Sequence, residues 1–80
     1  MKKQKPSNRP KLDLHGVFHK EVFGEVDRFV SENLYANEIE IVTGYSNRMK
    51  DLVQLVLSDY KLKGECPPYN DGTLIVKLWK

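Results

Sequence analysis

The segment Leu12-Asp13-Leu14-His15-Gly16 alternates apolar and ionisable residues and ends in a glycine. In a β-strand, alternation would place the two leucines on one face and Asp13 and His15 on the other. Ligands of open α/β sheets usually bind at the carboxyl ends of strands. Asp13 and His15 are therefore candidates for acid–base chemistry or metal binding. A structural role is also open, because such an aspartate often accepts an N–H from the following turn and a neighbouring histidine can pair with it.

Helical spacing follows this glycine and predicts an amphipathic helix over residues 19–34. Its apolar stripe consists of Phe18, Val22, Val26, Phe29, Val30 and Leu34. Residues 38–44 are rich in β-branched side chains and again end in a glycine, which predicts a second strand. A strand, a helix and a strand form a right-handed βαβ unit with parallel strands. The turns at Gly16 and Gly44 should therefore emerge on the same edge of the sheet.

A second amphipathic helix follows Tyr45, capped by Ser46 or Asn47. Its predicted core stripe is Met49, Leu52, Val53, Val56 and Leu57. A helix N-terminus behind a glycine turn can bind an anion. Arg48 and Lys50 lie in the first turn, where the helix dipole disfavours cations. A bound phosphate would explain them, and so would simple solvation. Tyr45 could stack on a base or cover the sheet edge.

The remaining sequence predicts an antiparallel pair, formed by residues 60–65 and 73–79 around a turn-rich loop at 66–72. Cys66 is interpreted as an inert thiol and Trp79 as a packing residue. The sum is βαβαββ, a two-layer α/β (α+β) fold with a mixed four-stranded sheet and two helices.

Charge divides the chain into a basic arm at residues 1–10 and a domain at 11–80. The arm holds four basic residues and no acid, which leaves nine basic against eleven acidic residues in the domain, a formal −2. Such an arm is expected to be disordered. It can contact phosphates in a salt-sensitive manner, or it can simply aid solubility.

Several function classes are disfavoured by composition. No run approaches the roughly 18 apolar residues of a transmembrane helix, and the N-terminus lacks the apolar stretch of a signal peptide. The single cysteine, Cys66, cannot form an internal disulfide, which is typical of a reducing compartment. We therefore expect a cytoplasmic monomer that has no membrane contact.

Three segments carry a resemblance to a known family. Leu12-Asp13-Leu14-His15-Gly16, Ile41-Val42-Thr43-Gly44-Tyr45-Ser46 and Gly72-Thr73-Leu74-Ile75-Val76-Lys77-Leu78, with helices between them, are similar to the Smr (small MutS-related) domain. The similarity covers about residues 10–80. The first pentapeptide, in this order of elements, is its most specific signal.

The resemblance implies a domain that binds branched or structured DNA, or RNA, and that in several relatives nicks it, sometimes with a divalent metal such as Mg²⁺ or Mn²⁺. A part in DNA repair or recombination goes with that activity. Asp13 and His15 correspond to the family's cleavage residues, and Asp13 is the candidate metal ligand. The family's TGxG-like nucleic-acid loop corresponds to residues 43–46. Together with the first turn and the second helix, the predicted interface is Gly16, Thr43, Gly44, Tyr45, Ser46, Asn47, Arg48 and Lys50.

Two departures from the family pattern affect this loop region. Ser46 replaces the second glycine of the loop, which reduces backbone approach to a phosphate but supplies a hydroxyl donor. The glycine-rich segment before the last strand is reduced to Gly72 alone. Relatives often attach this domain to recognition modules, and none is present in this sequence, so recruitment is expected to depend on the basic arm or on a separate protein partner.

Three functions remain open from the sequence. In the first, a minimal nuclease uses His15 as acid or base and the amides of residues 43–47, with Arg48 and Lys50, to hold the phosphate. In the second, the domain binds nucleic acid or a protein without turnover. In the third, the sheet edge pairs with a partner chain.

Overall fold

The computed structural model describes residues 9–78. Its elements, in chain order, are β1 (Lys11–Asp13), α1 (His19–Glu32), β2 (Glu38–Val42), α2 (Asn47–Asp59), β3 (Gly64–Glu65) and β4 (Thr73–Lys77). The predictions made for residues 1–8 of the basic arm and for Trp79 lie outside the described residues.

The four strands form one mixed sheet in the order β1-β2-β4-β3. β1 runs parallel to β2, whereas β4 is antiparallel to both β2 and β3. The predicted α+β class, the element order βαβαββ and the parallel pairing of the first two strands are therefore confirmed. This pairing brings the chain out of β1 and β2 at the same edge of the sheet.

Both helices pack together on one face of the sheet and enclose the core. The buried residues come from both helices, from β2 and β4 and from the end of β1: Leu14, Val22, Val26, Val30, Ile39, Ile41, Met49, Val53, Val56, Leu57, Leu74 and Val76. Valines at four-residue spacing on α1 face β-branched residues at two-residue spacing on β2, as the two periodicities require. Neither helix of the described part is long and apolar enough to cross a membrane.

The ends of α1 differ from the prediction. Phe18 and Leu34 were assigned to the apolar stripe, but they are 70% and 44% exposed. Phe18 is the extended N-cap residue and so lies outside the helical periodicity. At the other end, the side-chain amide of Asn33 donates to the backbone carbonyl of Phe29 at 2.7 Å, and the helix stops before Leu34.

The predicted strand at residues 60–65 is wrong over its first four positions. α2 continues to Asp59 and closes in a Schellman motif, in which Leu62 N–H donates to Leu57 O and Lys61 N–H to Ser58 O. Lys61 adopts the left-handed conformation, with φ of 60°. Glycine is the usual residue there, so its absence concealed the helix end.

Residues 9 and 10, the last of the predicted arm, contact β2. Pro10 O accepts the backbone N–H of Glu40 at 2.9 Å. The Arg9 guanidinium pairs with Glu38 and Glu40 on the sheet face that the helices leave open. The hydrogen bond to Glu38 raises the pKa of Arg9. The chain is therefore fixed to the sheet before β1 begins.

Candidate functional site

The turns that follow β1 and β2 lie side by side. Asp13 is paired in register with Val42, and the backbone N–H of Leu14 donates to Val42 O at 2.9 Å. Gly16 and Gly44, one in each turn, have positive φ of 85° and 70°. The structure thus brings together the two segments, 27 or more residues apart in sequence, from which the candidate site was built.

The first turn is held by a side chain of its own. Asp13 Oδ1 accepts the backbone N–H of His15 at 2.9 Å, which makes an Asx turn. The strand ends at Asp13, Leu14 is fully buried, and His15 belongs to the turn. The two side chains are therefore related by the turn rather than by the strand alternation that was predicted. Both are exposed, and the carboxylate bonds the histidine backbone, as the structural alternative required.

The second turn is held from outside by Gly72. Its carbonyl accepts the N–H groups of both Thr43 and Gly44, each at 2.9 Å. The Thr43 hydroxyl donates to Gly44 O at 2.9 Å, and the residue is only 3% exposed. Thr43 therefore supports the turn and does not offer its amide to a ligand. The same holds for the amide of Gly44.

The loop before β4 belongs to this site, which sequence reasoning did not foresee. Asn70 Oδ1 accepts the N–H of Gly72 at 2.9 Å. A Cβ on Gly72 would lie 3.3 Å from that oxygen and 3.6 Å from the backbone of Gly44. Close backbone contact explains why glycine stands there. The glycine itself, directly before a strand, was the available signal.

The amino end of α2 leaves two amides for a ligand. Ser46 caps the helix, since its hydroxyl accepts the N–H of Met49 at 3.1 Å, and Ser46 O accepts the N–H of Lys50. Within residues 9–78 the N–H groups of Asn47 and Arg48 have no hydrogen-bond acceptor. Free amides in the first turn carry the positive end of the helix dipole.

The two basic residues of this turn differ in availability. Lys50 forms an ion pair with Asp71 at 3.4 Å, and its side chain is only 14% exposed. Arg48 is exposed and makes no ion pair in the described part of the chain. Tyr45 precedes them and is 77% exposed. Arg48 and Tyr45 are thus accessible to a ligand, whereas Lys50 mainly holds the neighbouring loop.

The set of possible metal ligands is small. Among residues 9–78 no three histidine, cysteine or carboxylate side chains come together. One oxygen of Asp13 is taken by the His15 N–H, which leaves its second oxygen as a ligand. Mg²⁺ is often held by one or two carboxylates together with water and substrate phosphate. Asp13 can supply one carboxylate to a site of that kind, but it cannot form a metal site from protein ligands alone.

Comparisons with models of protein families, with curated proteins and with solved structures give no match. The resemblance to the Smr domain therefore stays a prediction from the sequence.

Proposed function

We propose that this protein binds nucleic acid at the edge where β1 and β2 end, and that His15 cleaves a phosphodiester bond there. One observation supports the proposal above others. The backbone bond from Leu14 to Val42 fixes the turn that bears the exposed His15 beside the turn that leads to the free amides of α2. A histidine on the turn adjacent to an anion-binding helix end supplies two of the requirements for phosphodiester cleavage, a proton-transfer group and charge stabilisation of the phosphate.

The chemistry divides between the two turns. Cleavage needs a base for the attacking group, charge stabilisation on the phosphate oxygens and an acid for the leaving group. His15 supplies one of the two proton transfers, as base or as acid, and a water molecule supplies the other. The amides of Asn47 and Arg48 and the guanidinium of Arg48 hold the phosphate. Asp13 positions His15 through its backbone N–H.

A divalent ion has a defined place in this proposal. The second oxygen of Asp13 would hold Mg²⁺ or Mn²⁺, and the ion would polarise the phosphate as a Lewis acid. The remaining ligands would come from water and from the nucleic acid.

The substrate we propose is structured DNA or RNA with unpaired bases near the cleaved phosphate. The exposed ring of Tyr45 offers a stacking surface beside the phosphate site. The Smr resemblance supports the same substrate class and a part in repair or recombination. We propose that the protein acts as a monomer in the cytoplasm, where its single cysteine would stay reduced, with a protein partner assisting recruitment.

The test is a cleavage panel with the purified chain. Single-stranded, duplex, flapped and junction substrates of both sugars are incubated with EDTA, Mg²⁺ or Mn²⁺, and products are resolved on denaturing gels. We expect nicks in at least one branched or looped substrate. Activity in EDTA would remove the metal from the proposal. Loss of activity in Asp13→Asn, which keeps an oxygen for the His15 N–H, would assign the carboxylate a role beyond the turn.

A binding module without turnover is the second candidate. The observation that favours it is the hydrogen bond from the His15 backbone N–H to Asp13, which already gives the carboxylate a structural task. This candidate predicts salt-sensitive affinity that survives Asp13→Asn, with no cut product from any substrate. Fluorescence anisotropy on the same panel separates the two. Lack of affinity for every DNA and RNA at low salt would contradict both candidates.

A further inference from the structure

A groove between α1 and α2 takes no part in the site described above. It is lined by Phe23, Gly24, Asp27, Leu55, Val56, Ser58 and Asp59 and has a volume of about 570 Å³. Two large apolar side chains border it, with Phe23 49% and Leu55 57% exposed. Exposed apolar groups gathered in one concave surface are typical of a protein-interaction site.

Gly24 gives this groove its open floor. It lies inside α1, where glycine lowers helix stability relative to alanine. A Cβ at this position would meet no other atom of residues 9–78 within 4 Å. The packing of this described part therefore gives no reason for a glycine here. The missing side chain leaves room beside Phe23 for an atom group from another molecule.

The charges of the groove favour a cationic partner. Its lining includes the carboxylates of Asp27 and Asp59 and contains no basic residue. The Tyr60 hydroxyl donates to Asp27 Oδ1 at 2.6 Å, which fixes the position of that carboxylate in the groove.

We propose that this groove is the docking site for a cationic amphipathic helix of another protein. One apolar side chain of that helix fills the space over Gly24, between Phe23 and Leu55. Its lysine or arginine residues pair with Asp27 and Asp59. A helix is the partner because two packed helices present the ridges and grooves into which a third helix packs. The occupied stretch of α1 spans five residues, 23–27, so about two turns of the partner suffice.

The test uses three synthetic 18-residue peptides and the full chain. The first is patterned with leucine and lysine as an amphipathic helix. The second replaces lysine by glutamate, and the third replaces leucine by glutamine. Binding is measured by fluorescence anisotropy, and ¹H–¹⁵N NMR spectra locate the contacts. We expect the leucine–lysine peptide to bind and to shift the amide signals of Phe23, Gly24 and Leu55. The other two should bind at least about tenfold more weakly.

Two variants test the floor of the groove. Gly24→Leu fills the space, and affinity for the leucine–lysine peptide should fall about tenfold or more, as overpacking of a contact does. Gly24→Ala is the matched control: its methyl group fits the open space, so affinity should change less than about threefold and thermal stability should rise. Thermal melts of both variants establish that the fold is retained.

Two double variants test the charges. Asp27→Asn with Asp59→Asn should lower the affinity about fivefold at low salt, the range expected for two exposed ion pairs. Asp51→Asn with Glu32→Gln removes the same charge from exposed positions outside the groove, and should have a smaller effect.

Three outcomes would overturn the proposal. The first is equal affinity for the leucine–glutamate peptide, and the second is unchanged affinity in Gly24→Leu. The third is self-association of the chain in analytical ultracentrifugation that Gly24→Leu abolishes, because the groove would then belong to a second copy of this chain.

Discussion

The two glycine turns of the candidate site are supported in opposite ways. The turn after β1 is held from within, by the Asp13 carboxylate, which accepts the N–H of His15, and by the backbone bond from Val17 N–H to Leu14 O. The turn after β2 is held from outside, because Gly72 accepts the N–H groups of Thr43 and Gly44. The first turn therefore presents the exposed side chain of His15 and is held by bonds between its own residues. The second turn is held rigidly by another segment, and a rigid backbone suits the phosphate site that we propose, because its donors need no reorganisation.

The largest expected effect concerns the first turn. His15→Ala should lower the nicking rate by at least about 10²-fold, because a positioned acid or base contributes 10²–10⁴. His19→Ala is the control, since His19 is also exposed but begins α1. Single-turnover cleavage with the preferred substrate measures both. Equal rates for His15→Ala and the unmodified protein would remove His15 from the chemistry and leave binding as the function.

The second prediction compares the two glycines directly. Each has positive φ and nothing within 4 Å of a Cβ, so alanine at either position should lower the free energy of unfolding by about 1–2 kcal/mol. We expect Gly44→Ala to be the more damaging, because Gly72 prevents its turn from relaxing. Urea denaturation measures both values. A larger loss for Gly16→Ala would contradict the contrast between the turns.

The smallest effect should come from the basic residues of α2. Arg48→Gln should weaken nucleic-acid binding a few-fold and reduce the slope of log K against log salt by about one. Lys50→Gln should change the affinity less, because its ammonium group pairs with Asp71. Lys50→Gln should instead lower the free energy of unfolding by less than about 1 kcal/mol, the range for a partly exposed ion pair. Equal salt slopes for the two variants would contradict this division of roles.

The fold was largely accessible from the sequence because its core follows simple periodicities. Val22, Val26 and Val30 repeat at helical spacing, and the β-branched run of β2 reads as a strand. Element ends were less accessible, because they depend on local hydrogen bonds. The side chain of Asn33 ends α1 early, and Lys61 closes α2 in a conformation that its residue type does not suggest.

The sequence predicts where the candidate site lies, but it does not predict the hydrogen bonds and ion pairs within the site. Parallel strands fix the two turns at one edge, which the pattern of residues 12–44 implies. Nothing local to Thr43 or Lys50 indicates that Gly72 and Asp71 engage them, since these partners lie more than 20 residues away. Only the packed chain reveals which polar groups are left for a ligand.

The central position of β4 has a consequence for synthesis of the chain. It forms the only link between β2 and β3 in the described sheet, and its predecessor Gly72 braces the second turn. While the protein emerges from the ribosome, the elements before β4 expose apolar residues that β4 has not yet covered. The turn after β2 also lacks its hydrogen bonds to Gly72. The native state can therefore form only after residues 72–77 have emerged. A translational stall before that point would leave a nascent chain that exposes apolar surface and is prone to aggregate.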